Sequence, residues 1–242
     1  MRGFVKNTAK KFWATLTLLS VELIIILVLF VLSFFVFVFI ARRIFWQEKD
    51  EFDYVVFDFM KPLINELRTD TMEFFTFLGT HTFLIPMNFL LIAYFLFIKR
   101  HRWYSITIPV VSLGGVLLMF ILKNLFGRPR PGDPLLRTVS GLSFPSGHAL
   151  VSVAFYGLLI YLVWQNVSHK ILRWILVFLL ILLILIIGVS RIYLRVHYAS
   201  DVLAGFAMGL LWLILSISVV RKIEGYTRKE IAPSIDETTT TP

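Results

Sequence analysis

Apolar residues in this chain are gathered into long blocks instead of alternating with polar ones, and the polar residues fall mostly between the blocks. Residues 23–40 are apolar except for Ser33, and about 20 such residues in a helix cross a hydrocarbon layer about 30 Å thick. Windows of that length predict spans at residues 16–41, 78–98, 104–122, 148–165, 172–190 and 201–220. Lipid offers no partner to an open backbone, so each block is read as a helix. The expected fold class is all-α, an integral membrane bundle of six transmembrane helices.

Between the first two blocks the pattern changes. Phe52, Val55, Val56, Phe59, Leu63, Ile64 and Leu67 recur at steps of three and four, while Glu51, Asp53, Asp58, Lys61 and Glu66 take the other faces. This predicts an amphipathic helix, lying at the membrane interface or docked on the bundle without lipid contact. Pro62 should kink or divide it. Residues 1–15 are read as a cytoplasmic segment and 16–224 as one membrane domain. Residues 225–242, diluted by Pro233 and the threonines at 238–241, are read as a disordered cytoplasmic tail.

Composition narrows the possibilities. With 58% of its residues hydrophobic, the chain carries more apolar surface than a soluble domain hides. The net charge of +9 would suit nucleic acid, but the cations cluster at block ends, where membrane orientation accounts for them. Nucleic acid is therefore not an expected partner. Lys6, Lys10, Lys11, Lys99, Arg100, Arg102, Lys170, Arg173, Arg221 and Lys222 share one side of a six-span chain. That side is read as the cytoplasmic face of a plasma membrane, with both termini on it. The basic start leads into an apolar run too long for a signal-peptide core, so it reads as a retained anchor. Cysteine is absent, which excludes disulfides and thiolate metal sites.

Three polar clusters interrupt the second half, and the topology brings all three to the outer face. Lys123, Arg128 and Arg130 follow span three, Ser146, Gly147 and His148 open span four, and Arg191, His197 and Asp201 lie between spans five and six. Snorkelling accounts for one charge at a helix end. It does not account for two histidines, a carboxylate and the cations Lys123, Arg130 and Arg191 together. Phosphoryl transfer spreads negative charge over equatorial oxygens, and Lys123, Arg130 and Arg191 would meet it. Ser146 and Gly147 would add backbone N–H groups at a helix start. His197 and Asp201 are four apart and share a face if the turn between them is helical, so Asp201 could fix the imidazole. His197 then reads as the nucleophile, with His148 as acid toward the leaving alkoxide and base toward water.

Other polar residues are read as ordinary. Arg128 and Arg137 suit a solvated loop, Arg195 and Tyr198 an exposed turn, and His81 and Asn88 helix packing.

The three clusters, Lys123 through Arg130-Pro131, Pro145-Ser146-Gly147-His148, and Ser190-Arg191 through His197 to Asp201, resemble the three-part signature of the type 2 phosphatidic acid phosphatase family. The resemblance implies a six-helix bundle and metal-independent hydrolysis of a phosphomonoester or diphosphate through a phosphohistidine, with no cofactor. Asp133, the one acid of the first polar loop, is too little to build a magnesium site with Asp201. The expected partner is a lipid phosphate in the bilayer, such as undecaprenyl diphosphate, phosphatidylglycerol phosphate or phosphatidic acid. Transfer to another acceptor would use the same histidines. An anionic-lipid binder or transporter would explain the charge but not the spacing of His197 and Asp201.

Overall fold

A computed structural model describes residues 2–48, 50–132, 134–136 and 140–231. Eight α-helices follow one another, and no strand occurs among the described residues. They are α1 (Arg2–Phe45), α2 (Glu51–Met60), α3 (Glu66–Phe77), α4 (His81–Ala93), α5 (Arg102–Phe126), α6 (Gly147–Asn166), α7 (Lys170–Tyr193) and α8 (Ala199–Tyr226). Six helices are long and apolar enough to cross a membrane, the first of these spans being Leu23–Phe45 and the last Ala199–Lys229. Helix α1 stays helical through Arg42 and Arg43, past the end of the expected window.

Helices α6 and α8 form the centre. Gly205 and Gly209 lie one turn apart on α8, and a β-carbon on either would stand 2.6 Å from the Ser146 carbonyl oxygen or 2.7 Å from that of Leu150. Small residues at this spacing let two backbones approach where lipid gives no hydrophobic drive between helices. Outer helices present Leu32 and Phe35 of α1, Leu113 and Phe120 of α5 and Phe178 of α7 outward, as hydrocarbon contact requires.

The segment between the first two spans is divided as Pro62 predicted. A short 3₁₀ turn over Lys61–Leu63 separates α2 from α3. Val56, Phe57 and Met60 of α2 pack on Ala149, Ile192, Ala199 and Val202, whereas Phe52, Val55 and Phe59 are exposed. The helix is thus docked on the bundle while offering lipid an apolar side. Asn65, at the start of α3, donates its backbone N–H to the Tyr193 hydroxyl at 3.2 Å and ties this segment to α7.

The chain end differs from expectation. Gly225 does not stop α8, which runs to Tyr226 and continues as a wider π-type turn over Thr227–Ile231. An Arg228–Glu224 ion pair of 2.7 Å, one turn apart, supports the extension. The rest of the expected tail, 232–242, lies outside the described residues, as do Asp133 and Arg137.

Candidate active site

Four helix ends meet at one end of the bundle: the C-termini of α5 and α7 and the N-termini of α6 and α8. Helix α5 stops at Gly127, whose φ of +63° suits glycine, and its N–H returns to the Lys123 carbonyl at 2.9 Å. The following loop carries Arg128 and Arg130. Phe144 anchors the far end of that loop, buried against Phe37, Phe45 and Phe126. Ser143 and Ser146 are thereby held on either side of a packed aromatic ring.

At the end of α7 the chain folds back on itself. Val196 and His197 both donate their N–H groups to the Arg191 carbonyl, at 3.2 and 3.3 Å. Arg195 takes the left-handed conformation, φ +53°, to complete the turn. His197 precedes α8, so the stretch joining it to Asp201 is not the helical turn expected. Proximity comes instead from Asp201 reaching back as the third helical residue to accept the Tyr198 N–H at 3.0 Å.

His197 is 1% exposed and Asp201 is fully buried. His197 Nδ1 stands 3.6 Å from Asp201 Oδ2, beyond a direct hydrogen bond. Ser143 Oγ fills the gap, 3.3 Å from Nδ1 and donating to Asp201 Oδ2 at 2.5 Å. This pattern puts the ring proton on Nδ1 and the lone pair on Nε2. Nε2 faces Arg130, whose Nη1 lies 3.3 Å away. Burial lowers the His197 pKa to about 4, with Arg191 and Arg130 adding to it against the opposing pull of Asp201. The ring is therefore neutral at pH 7. On lowering the pH it should take up a proton only near 4, well after an ordinary imidazole. An NMR titration of the His197 ring in detergent checks this, and a midpoint near 6.5 would contradict it.

Lys123, Arg130, Arg191, Gly147, His148 and His197 line one cavity of about 540 Å³. Lys123 Nζ is steadied by the Leu142 carbonyl. Arg130 donates to the carbonyls of Gly141 and Val196 at 3.0 and 2.7 Å. Arg191 donates to Thr76 Oγ1 of α3, and its Nε is buried without a partner among the described residues. His148 Nε2 is likewise buried and unpartnered. Ser146 differs from expectation: its N–H goes to the Asp201 carbonyl at 2.9 Å and its side chain caps α6. Gly147 and His148 are the first residues of α6, where backbone N–H groups have no partner within the helix. A β-carbon at Gly147 would require the Met119 side chain to move.

Behind the histidine lies a network that no sequence pattern marked. Arg128, expected in solvent, is 8% exposed and bridges two buried carboxylates, Asp201 at 2.7 Å and Asp53 at 2.9 Å. Its guanidinium lies 4.0 Å from the centre of the Tyr198 ring, which likewise has a structural partner. Burial disfavours the charge, but Asp201 and Asp53 outweigh it and raise the Arg128 pKa. Asp53, 1% exposed on α2, also accepts from the Ser200 N–H at 2.8 Å and hydroxyl at 2.6 Å. Its position among polar residues of an amphipathic pattern gave no sign of this. Among the described residues no group of three His, Asp or Glu side chains is placed to hold a metal ion.

A model of the PAP2 superfamily matches residues 104–224. The chain belongs to the PAP2 superfamily. Phosphatidylglycerophosphatase B of Bacillus subtilis (strain 168) is 32% identical over 173 residues, covering 70% of this chain and 81% of that protein. Lipid phosphate phosphatase delta of Arabidopsis thaliana is 26% identical over 117 residues, 43% of this chain and 28% of that one. The crystal structure of a transmembrane PAP2 type phosphatidylglycerolphosphate phosphatase from Bacillus subtilis superposes with a TM-score of 0.73 at 27% identity, covering 80% of this chain and 96% of that one. Aquifex aeolicus LpxE gives a TM-score of 0.55 at 26% identity, over 68% and 94% of the two chains. This PAP2 chain is a multi-pass membrane protein and a lipid phosphatase.

Proposed function

We propose that this PAP2 phosphatase removes the terminal phosphate of a phosphoglycerolipid of the phosphatidylglycerophosphate class, through a phosphohistidine at His197 Nε2. One observation carries the mechanism: a buried neutral imidazole, with Nδ1 turned to Ser143 and Asp201, presents Nε2 to a cavity lined by three cations. The resemblance to Bacillus subtilis phosphatidylglycerophosphatase B over most of both chains supports the substrate class.

Lys123, Arg130 and Arg191 would bind the phosphoryl oxygens and stabilise the charge that spreads over them in transfer. The N–H groups of Gly147 and His148 would add donors at the start of α6. As the bond from Nε2 to phosphorus forms, the bond to the lipid oxygen breaks and His148 gives that oxygen its proton. The phosphorylated ring is cationic, and Asp201 offsets its charge through Nδ1 and Ser143. His148 then takes a proton from water as it attacks phosphorus, returning His197 and free phosphate. Ser146 holds α6 to α8 and is assigned no phosphate contact.

Purified protein should release phosphate from phosphatidylglycerophosphate faster than from phosphatidic acid or undecaprenyl diphosphate, and EDTA should leave the rates unchanged. Release from none of the three would refute the function; loss with EDTA and recovery with magnesium would refute the metal-free mechanism. The site is assigned to the outer leaflet side and both termini to the cytoplasm, on the cations of the 99–102 and 221–222 stretches. A cysteine replacing Gly132, beside which a β-carbon meets nothing within 4 Å, should react with an impermeant reagent on intact cells. Labelling only after permeabilisation would reverse this topology.

A further inference from the structure

The cavity does not end at the phosphate site. It continues between α4 and α5 along an apolar wall that includes Leu84, Phe89, Leu113 and Phe120. Below His81, at the start of α4, one polar pair interrupts that wall. Ser112 Oγ of α5 donates to Asn88 Oδ1 of α4 at 2.5 Å, and Asn88 Nδ2 donates to the Leu84 carbonyl at 2.8 Å. A primary amide has two N–H groups and a hydroxyl has two lone pairs. Among the described residues one Asn88 N–H is left over, on a side chain that lines the cavity. A bond between helices needs only the shared contact, so packing alone leaves this donor without a use.

The depth of the pair is informative. A β-carbon on Gly79 would stand 3.1 Å from the His148 ring, which sets Gly79 level with the phosphate site. Asn88 lies about 10 Å below His81, the first residue of α4, at helical rise, and further still from Gly79, while Ser112 lies about 16 Å below Lys123 on α5. In a phosphatidylglycerophosphate, eleven bonds separate the terminal phosphorus from the first acyl carbonyl carbon, about 13 Å at the reach per bond of an extended chain. In phosphatidic acid the same path is five bonds, about 6 Å. A polyprenyl chain has no carbonyl at any depth.

We propose that Asn88 and Ser112 form a subsite for an acyl ester carbonyl of a diacyl lipid whose scissile phosphate stands one glycerophosphate unit further out. This rests on the function proposed above and extends it from the phosphate to the lipid. The Asn88 N–H donates to the carbonyl oxygen, and Ser112 orients the amide. An unpartnered N–H beside hydrocarbon is unfavourable, so lipids without a carbonyl at this depth are disfavoured.

Matched diester and diether forms of phosphatidylglycerophosphate test the idea, since they differ in the carbonyl and share head group and chain length. Phosphate release is measured in mixed micelles for the wild type, Asn88→Leu and Ser112→Ala. The wild type should favour the diester in kcat/KM by roughly five- to tenfold, and the ratio should fall toward one in Asn88→Leu and be reduced in Ser112→Ala. Equal wild-type rates on the two lipids, or a preference that survives in Asn88→Leu, would overturn the subsite alone. The wild-type ratio needs no variant to fold. Release from neither lipid would overturn both the subsite and the function on which it rests.

Discussion

Replacing Arg128 with methionine is expected to destabilise the protein by about 3–5 kcal/mol, seen as a large fall in its thermal midpoint in detergent. Asp53 and Asp201 are 1% and 0% exposed, and Arg128 is the cation bonded to both. Removing it leaves two carboxylates facing each other in a medium that solvates neither. Lysine should substitute poorly, because a point charge does not divide itself between two partners as the guanidinium does here. Adding Asp53→Asn to Arg128→Met should recover part of the loss, since one of the stranded charges is then gone. A midpoint unchanged in Arg128→Met would show that the network contributes nothing. Arg128 also holds Oδ1 of Asp201, so the lysine variant should lose kcat with little change in KM.

Replacing His197 with alanine is expected to lower phosphate release by several orders of magnitude and to abolish covalent labelling by a radioactive donor. His197 Nε2 is the ring nitrogen that the surrounding contacts leave with a lone pair beside Arg130 and the cavity. His148→Ala should behave differently. With a lipid alkoxide as leaving group it should lose roughly 10²- to 10⁴-fold, the range for a general acid. With p-nitrophenyl phosphate, whose leaving group needs no proton, the first step should survive and the second should stall for want of a base. Label should then accumulate on His197, stable in alkali and lost in acid as a phosphorus–nitrogen bond is. Equal labelling of the His197→Ala protein would place the nucleophile elsewhere.

Much of this architecture was legible in the chain. Spans announce themselves because lipid demands long apolar helices, and Pro62 divides the amphipathic segment as a missing donor requires. Lys123, Arg130, Gly147, His148, Arg191 and His197 were drawn together by counting helix ends, and they line one cavity. The contacts that fix their orientation were not legible. Asp53 and Arg128 are 75 positions apart, and no periodicity relates an amphipathic helix to a distant loop. Ser143 and Thr76 lie outside the motifs, so neither offered a sign of its bond to Asp201 or Arg191. The relation of His197 to Asp201 was found by the wrong geometry, a helical turn, where the structure uses the reach of an N-terminal acid.

The cavity is walled toward the bilayer by Ile85, Phe89, Leu113 and Phe120, all exposed on the outer surfaces of α4 and α5. A lipid that enters past these side chains comes from the two-dimensional lipid phase. The quantity that saturates such an enzyme is the mole fraction of substrate among its lipid neighbours. Inert lipid added at constant total substrate dilutes the reaction, and a larger aqueous volume leaves it untouched.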